Sequence, residues 1–169
     1  MKDKVITIDD IDLFVFDFDG VLTDNTVHID NNGNEMVSCS RADGLAFDVL
    51  RKLDKPCQIL STENNTVVSV RANKLGISVL QGVKNKEKAL RNLVKRKSYK
   101  LSNILYVGND LNDYNSMRIS GFSVCPADSH PEIKKISNFI LKTKGGKGIV
   151  RELLEDVLSL DFIEILYNQ

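Results

Sequence analysis

Short apolar runs that give way, again and again, to stretches with helical spacing constrain this chain more than any other feature. Leu13 to Phe16 is a four-residue apolar run ending on Asp17, the pattern of a buried strand. Ala42 to Leu53 then sets Leu45, Ala46, Val49, Leu50 and Leu53 at helical intervals, and Pro56 leads into a second strand, Cys57 to Leu60. Asn65 to Leu75 reads as a helix closed by Gly76, followed by a strand at Ile77 to Leu80. Lys86 to Lys97 is a helix with Ala89, Leu90, Leu93 and Val94 on one face, and Ile104 to Val107 is a strand. A helix from Asp110 to Ser120 stops at Gly121, and a strand follows at Phe122 to Val124. A short helix (Pro131 to Ile136), a strand (Phe139 to Leu141) and a helix (Gly148 to Leu158) complete the series. One segment differs: Val27 to Ser38 alternates around Asn31-Asn32-Gly33, which predicts a β-hairpin. The expected class is α/β with a mainly parallel sheet, and such sheets bind ligands at the carboxyl ends of their strands.

Length and composition bound the alternatives. A chain of 169 residues fits one domain over residues 1–169 and can bury a core without metal or disulfide staples. Lys plus Arg and Asp plus Glu each number 23, so net charge gives no reason to expect nucleic acid or an acidic membrane surface as a partner. Three scattered cysteines (Cys39, Cys57, Cys125) suit a reducing compartment and form neither a disulfide framework nor a zinc motif. The opening residues lack a signal-peptide pattern, and no stretch approaches the roughly 18 apolar residues that span a bilayer. The expected location is the cytoplasm.

Four segments fall at the carboxyl ends of strands or at the helix starts that follow them. Asp17-Phe18-Asp19-Gly20 sets two carboxylates one residue apart. Buried carboxylates need compensation, and a divalent cation with oxygen ligands supplies it. The first carboxylate can attack phosphorus, and the second can protonate a leaving alcohol and then activate water. Ser61 follows the second strand, where a hydroxyl can donate to a phosphoryl oxygen or cap the next helix. Lys86 opens a helix, where an ammonium can hold phosphate charge and the nucleophile together. Gly108-Asn109-Asp110-Leu111-Asn112-Asp113 gathers oxygen-bearing side chains suited to a hard cation or to a helix cap.

In order and spacing these segments resemble the haloacid dehalogenase superfamily phosphatases, over essentially the whole chain. The resemblance implies a Rossmann-like three-layer sandwich with a β-hairpin flap. It implies no cap domain, because only the hairpin and one helix separate the first two motifs. It further implies Asp17 as nucleophile, Asp19 as general acid and base, and Ser61 and Lys86 as phosphoryl ligands. Mg2+ is the implied cofactor, held by Asp17, the Asp19 carbonyl and Asn109, with help from Asp110 or Asp113. Asn109 stands where the family usually has Asp.

Within that superfamily the chain is similar to the capless phosphatases of 3-deoxy-ulosonic acid phosphates. The matching stretches are Asp17 to Asp24, Ser40-Arg41-Ala42-Asp43-Gly44, Leu75-Gly76, Gln81-Gly82-Val83 and Gly145-Gly146-Lys147-Gly148. Ser40, Arg41, Gly44 and Thr62 are then expected near the substrate, a small sugar phosphate. Glu63 replaces the arginine usual in the octulosonate enzymes, and Arg71 and Lys74 follow on the next helix. That combination resembles the nonulosonate 9-phosphate phosphatases of the sialic acid type, ahead of octulosonate 8-phosphate. The subgroup implies a homotetramer in which the hairpin and a neighbour's tail close the site. The tail, Leu160 to Gln169, is rich in apolar residues, and packing on its own core is the simpler expectation. The alternative reading is a non-catalytic or weakly active assembly module of the kind associated with acylneuraminate cytidylyltransferases, which Asn109 favours and Asp17, Asp19 and Lys86 oppose.

Overall fold

The computed structural model describes residues 6–168. Its strands are β1 (Leu13–Phe16), β2 (Thr23–Ile29), β3 (Glu35–Cys39), β4 (Cys57–Leu60), β5 (Ser78–Leu80), β6 (Ile104–Val107), β7 (Phe122–Cys125) and β8 (Phe139–Ile140). Its helices are α1 (Arg41–Lys52), α2 (Val67–Leu75), α3 (Lys86–Lys97), α4 (Tyr114–Ile119), α5 (Pro131–Ile136), α6 (Ile149–Glu152) and α7 (Phe162–Tyr167). Six strands form one sheet in the order β5-β4-β1-β6-β7-β8, and every pairing in it is parallel. β2 and β3 pair antiparallel as a separate hairpin. Only this hairpin and α1 lie between β1 and β4, so no cap is inserted there.

β1 is buried along its whole length, as a strand covered on both faces must be. Its alternate residues feed two cores. Phe14 and Phe16 pack with Phe47 and Leu50 of α1, Val68 and Ala72 of α2, and Ile149 and Leu153. Leu13 and Val15 pack with Leu90, Leu93, Met117 and Ile133 from α3, α4 and α5. The result is three layers, with helices on both sides of the sheet. Each fully buried Leu, Ile or Phe contributes on the order of 1.5–3 kcal/mol, so the two cores dominate stability.

Local chemistry sets the helix ends. The Ser40 side chain accepts from the Ala42 amide to start α1, and Asn85 accepts from Lys88 to start α3. Gly76 ends α2 in the left-handed region (φ +67°), where a glycine fits without strain. α2 begins two residues later than its apolar spacing predicts, because the Asn65 side chain turns back onto the Val67 amide. The expected helix from Asp110 is divided: Asp110 and Asp113 cap each other, so the chain takes a tight turn at Leu111–Asp113 before α4. α6 continues into a wider π turn, Leu153–Val157. Most of the apolar tail forms α7, started by Asp161 and anchored by buried Phe162, while Ile163 and Tyr167 stay exposed. Gln169, its last expected residue, lies outside the described residues.

β1 sits between β4 and β6, so the chain runs outward on one side of it and then returns to build the other. Ligand crevices of doubly wound sheets open at such a switch point, here between the ends of β1 and β6.

Candidate active site

Asp17 follows β1, and its amide donates to the Val107 carbonyl at 2.9 Å, which ties it to the end of β6. Its Oδ1 accepts from the Phe18 amide at 2.7 Å and from Lys86 Nζ at 2.7 Å. Lys86 Nζ also reaches Asp113 Oδ1 at 2.8 Å. Asp17, Lys86 and Asp113 are all buried. Burial, reinforced by the charge of Asp113, pushes the Asp17 carboxyl well above the usual range, against the pull of Lys86. Burial works against the Lys86 cation, but Asp17 and Asp113 outweigh it and hold its pKa above the ordinary value. With both carboxyls ionised, one ammonium leaves a net negative charge between them, a setting that favours a cation.

Asp19 is half-buried at the same loop. Burial raises its pKa, as do Glu63 and Glu35, while Lys86 and the Thr23 hydroxyl oppose the rise. A carboxyl so placed retains a proton to higher pH than usual, which suits an acid that becomes a base. Gly20 turns the loop at φ +74°, and a Cβ there would lie 1.9 Å from Asn109 Nδ2. The turn thus needs glycine twice over, for its backbone angle and for the close seat of Asn109.

The loop is braced from outside. Thr23 Oγ1 accepts from the Gly20 and Asn25 amides, both at 3.2 Å. The Gly146 amide donates to the Val21 carbonyl at 2.9 Å, and a Cβ on Gly145 would stand 2.1 Å from the Gly20 oxygen. Gly145 and Gly146 therefore let one backbone lie directly on another.

A small cavity of about 80 Å³ opens over these groups, lined by Asp17, Asp19, Asn25, Thr62, Asn109, Asp110 and Asn112. The space is open on one side and suits the phosphoryl end of a substrate. A larger hollow of about 230 Å³ near Phe47, Arg51, Cys57 and Ser78 lies at the other end of the strands and gathers no carboxylates.

The other expected residues divide by position. Ser61 is buried at the end of β4, and its Oγ accepts from the Glu63 amide at 3.1 Å, which leaves its proton to donate elsewhere. Asp110 lines the cavity but also caps its own turn, accepting from the Leu111 amide at 2.7 Å. Glu63 accepts from the Asn64 and Asn65 amides at 2.7 and 2.8 Å, yet lies close enough to raise Asp19. Arg71 donates to the Ser40 carbonyl at 2.8 Å. Ser40, Arg41, Gly44, Arg71 and Lys74 do not line this cavity within one chain. Gly44 lies inside α1, where an added Cβ would face Leu75, while Arg41 and Lys74 point to solvent. Sequence reasoning gave Asn25 no role and counted Asn112 only among the oxygen-bearing residues of the Gly108 loop. Asp113 entered it only as a possible help to the metal, and Tyr106 read as an ordinary strand residue.

Asn109 is buried and its Oδ1 has no hydrogen-bond partner among the described residues, so a carbonyl oxygen awaits a ligand beside Asp17. Asp17 and Asp19 line the same cavity, so oxygen donors of the kind a hard cation takes meet there. No cluster of three or more His, Cys, Asp or Glu side chains of metal-binding arrangement occurs among the described residues, so the set relies on neutral oxygens.

The family profile of the haloacid dehalogenase-like hydrolases matches residues 45–153. The chain belongs to the haloacid dehalogenase-like hydrolases. A relative in that family, the 3-deoxy-D-manno-octulosonate 8-phosphate phosphatase of Escherichia coli K12, is 32% identical over 157 residues, covering 92% of this chain and 84% of the relative. A haloacid dehalogenase-family hydrolase of Streptomyces avermitilis superposes with a TM-score of 0.91 at 39% identity, over 95% of this chain and 92% of that one. The octulosonate 8-phosphate phosphatase of Moraxella catarrhalis, solved with magnesium, phosphate and the octulosonate, superposes with a TM-score of 0.85 at 32% identity, over 89% and 87%. The family expectation from the sequence is borne out, and so is its fold: a capless α/β phosphatase with a hairpin. Among the described residues no helix is long and apolar enough to cross a membrane.

Proposed function

We propose that this phosphatase hydrolyses the phosphomonoester of a 3-deoxy-ulosonic acid through an aspartyl phosphate on Asp17. The observation that carries the reading is Lys86 bridging buried Asp17 and Asp113 beside the proton-retaining Asp19. Asp17 attacks phosphorus, and the bond from phosphorus to the ester oxygen breaks as Asp19 gives that oxygen its proton. Asp19 then takes a proton from water, and this water attacks the phosphorus of the aspartyl phosphate. The bond to Asp17 breaks, inorganic phosphate leaves and Asp17 is restored. Lys86 and Ser61 hold phosphoryl oxygens throughout. Magnesium, held when bound by the Asp17 carboxylate, the Asp19 carbonyl and Asn109, offsets phosphoryl negative charge. Turnover on a panel of sugar-acid phosphates tests the reading, with Asp17→Asn as control; a variant as active as the parent refutes the nucleophile.

The favoured sugar is a nonulosonate 9-phosphate, with octulosonate 8-phosphate next. Glu63 supports this order: it sits close to Asp19 and offers acceptors to sugar hydroxyls where an arginine would offer donors. A strong preference for the octulosonate in side-by-side turnover contradicts it. The cavity is small and open on one side, and the hairpin exposes Val27, Ile29 and Met36. Both observations support the expected homotetramer, in which a neighbour completes the site; light scattering after gel filtration tests it. Three free cysteines agree with a cytoplasmic location.

A further inference from the structure

β6 is buried throughout, and its alternation sends Leu105 and Val107 to one core and Ile104 and Tyr106 to the other. Tyr106 therefore lies among Leu90, Leu93 and Met117, surroundings that would accept phenylalanine. A hydroxyl there needs a partner, because an unpaired buried one is costly. Its partner is Asp113: the Tyr106 hydroxyl donates to Oδ1 at 2.9 Å.

That carboxylate is the hub of the site. Oδ1 takes Lys86 Nζ at 2.8 Å together with the tyrosine, while Oδ2 takes the Asn109 amide at 3.0 Å. Asp113 is fully buried and packs on Gly108, where a Cβ would stand 2.6 Å from its own Cβ. It thus joins helix α3, strand β6 and the Gly108 loop. Burial and the charges of Asp113 and Asp17 push the tyrosine pKa well above its usual value, so the hydroxyl stays a donor. A charge-assisted hydrogen bond of this kind fixes the acceptor's orientation as well as its charge.

We infer that Tyr106 is a positioning residue for the phosphatase reaction: its hydroxyl fixes Asp113 so that Lys86 stays shared with Asp17. Without the hydroxyl, Asp113 keeps one side-chain donor and competes harder for the Lys86 ammonium. The lysine then drifts from Asp17 Oδ1. The inference rests on the proposed phosphatase reading.

Tyr106→Phe keeps the volume and removes only the oxygen. With p-nitrophenyl phosphate and saturating magnesium, kcat is expected to fall about tenfold while KM changes less than about twofold. A thermal midpoint that falls with kcat unchanged at 25 °C shows a structural role only and overturns the inference. A second readout needs no turnover: the side-chain 15N–1H signal of the buried Lys86 ammonium is expected to shift or broaden in the variant. An unchanged ammonium signal overturns the inference even where activity has dropped. If the parent turns over no phosphomonoester, the phosphatase reading fails, and the tie between Tyr106 and Lys86 stands or falls on that signal.

Discussion

Asp43 makes stability depend on pH in a direction opposite to most carboxylates. It lies in α1, buried, and its Oδ1 accepts from the Val150 amide at the start of α6 at 2.9 Å. Its Oδ2 is also buried, without a partner among the described residues. Burial pushes the carboxyl up to about 6 from 3.8, against the amides of Val150 and Arg151 and the charge of Arg71. The folded chain therefore binds this proton more tightly than the unfolded chain. The resulting stability is fully present below about pH 4 and is lost as pH rises through about 6. A shift of about 2 units is worth about 3 kcal/mol in all, at 1.36 kcal/mol per unit. Between about pH 5 and pH 7.5 the same linkage gives a change of about 1.4 kcal/mol. Urea unfolding of the parent and of Asp43→Asn at both pH values isolates the effect, since other titrating groups cancel in the difference. Asparagine keeps the acceptor for Val150 and loses the titration. The parent is expected to gain about 1.4 kcal/mol on the variant on going from about pH 7.5 to pH 5. A difference that is flat with pH, or that moves the other way, refutes the reasoning.

Gly20→Ala is expected to abolish phosphatase activity while far-UV circular dichroism stays native, because the added Cβ strikes the Asn109 side chain and not the core. Phe47→Ala removes a buried ring that meets Phe16 edge-on at 5.3 Å, and chemical denaturation is expected to show a loss of about 3–5 kcal/mol. Asn109→Asp puts a further buried carboxylate beside Asp17, so in EDTA the variant is expected to lose on the order of 2 kcal/mol. Magnesium titration, followed by thermal shift, is expected to reverse that order and to show tighter binding than the parent.

The fold was legible because its apolar runs are short and fully buried, which leaves little freedom in assigning them. β1, β4 and β6 begin and end where the apolar residues do. The misplaced boundaries have local causes. Asn65 turns its side chain back onto Val67, and Asp110 and Asp113 cap each other, so polar side chains override the apolar period at the starts of α2 and α4. In the site, Asp17, Asp19 and Asn109 were legible because oxygen-bearing residues follow strand ends. Tyr106 was not, since a tyrosine in a strand looks like core until its hydroxyl is seen to meet Asp113. Nor was the cavity rim: Asn25 and Asn112 carry no pattern of their own, and only the folded loops bring them together. Ser40, Gly44 and Arg71 sit within a chain at structural contacts, the first capping α1, the second facing α2 and the third holding the Ser40 carbonyl.

These placements divide the site into two zones with different physics. Its base, formed by Asp17, Lys86, Asp113 and Tyr106, is buried, so each charge there depends on the next and a change at one is felt by all. Its rim sets the uncharged Asn25, Thr62 and Asn112 beside Asp110, all exposed, so a change at one of the three uncharged residues disturbs little beyond the group it meets. On the proposed mechanism, bond breaking at phosphorus falls to the base, and the proposed choice of sugar falls to the rim and to Glu63. Substitutions at the rim are therefore expected to alter substrate preference without altering the chemistry, whereas a single lost oxygen at the base, as in Tyr106→Phe, is expected to reach the nucleophile through two intervening groups.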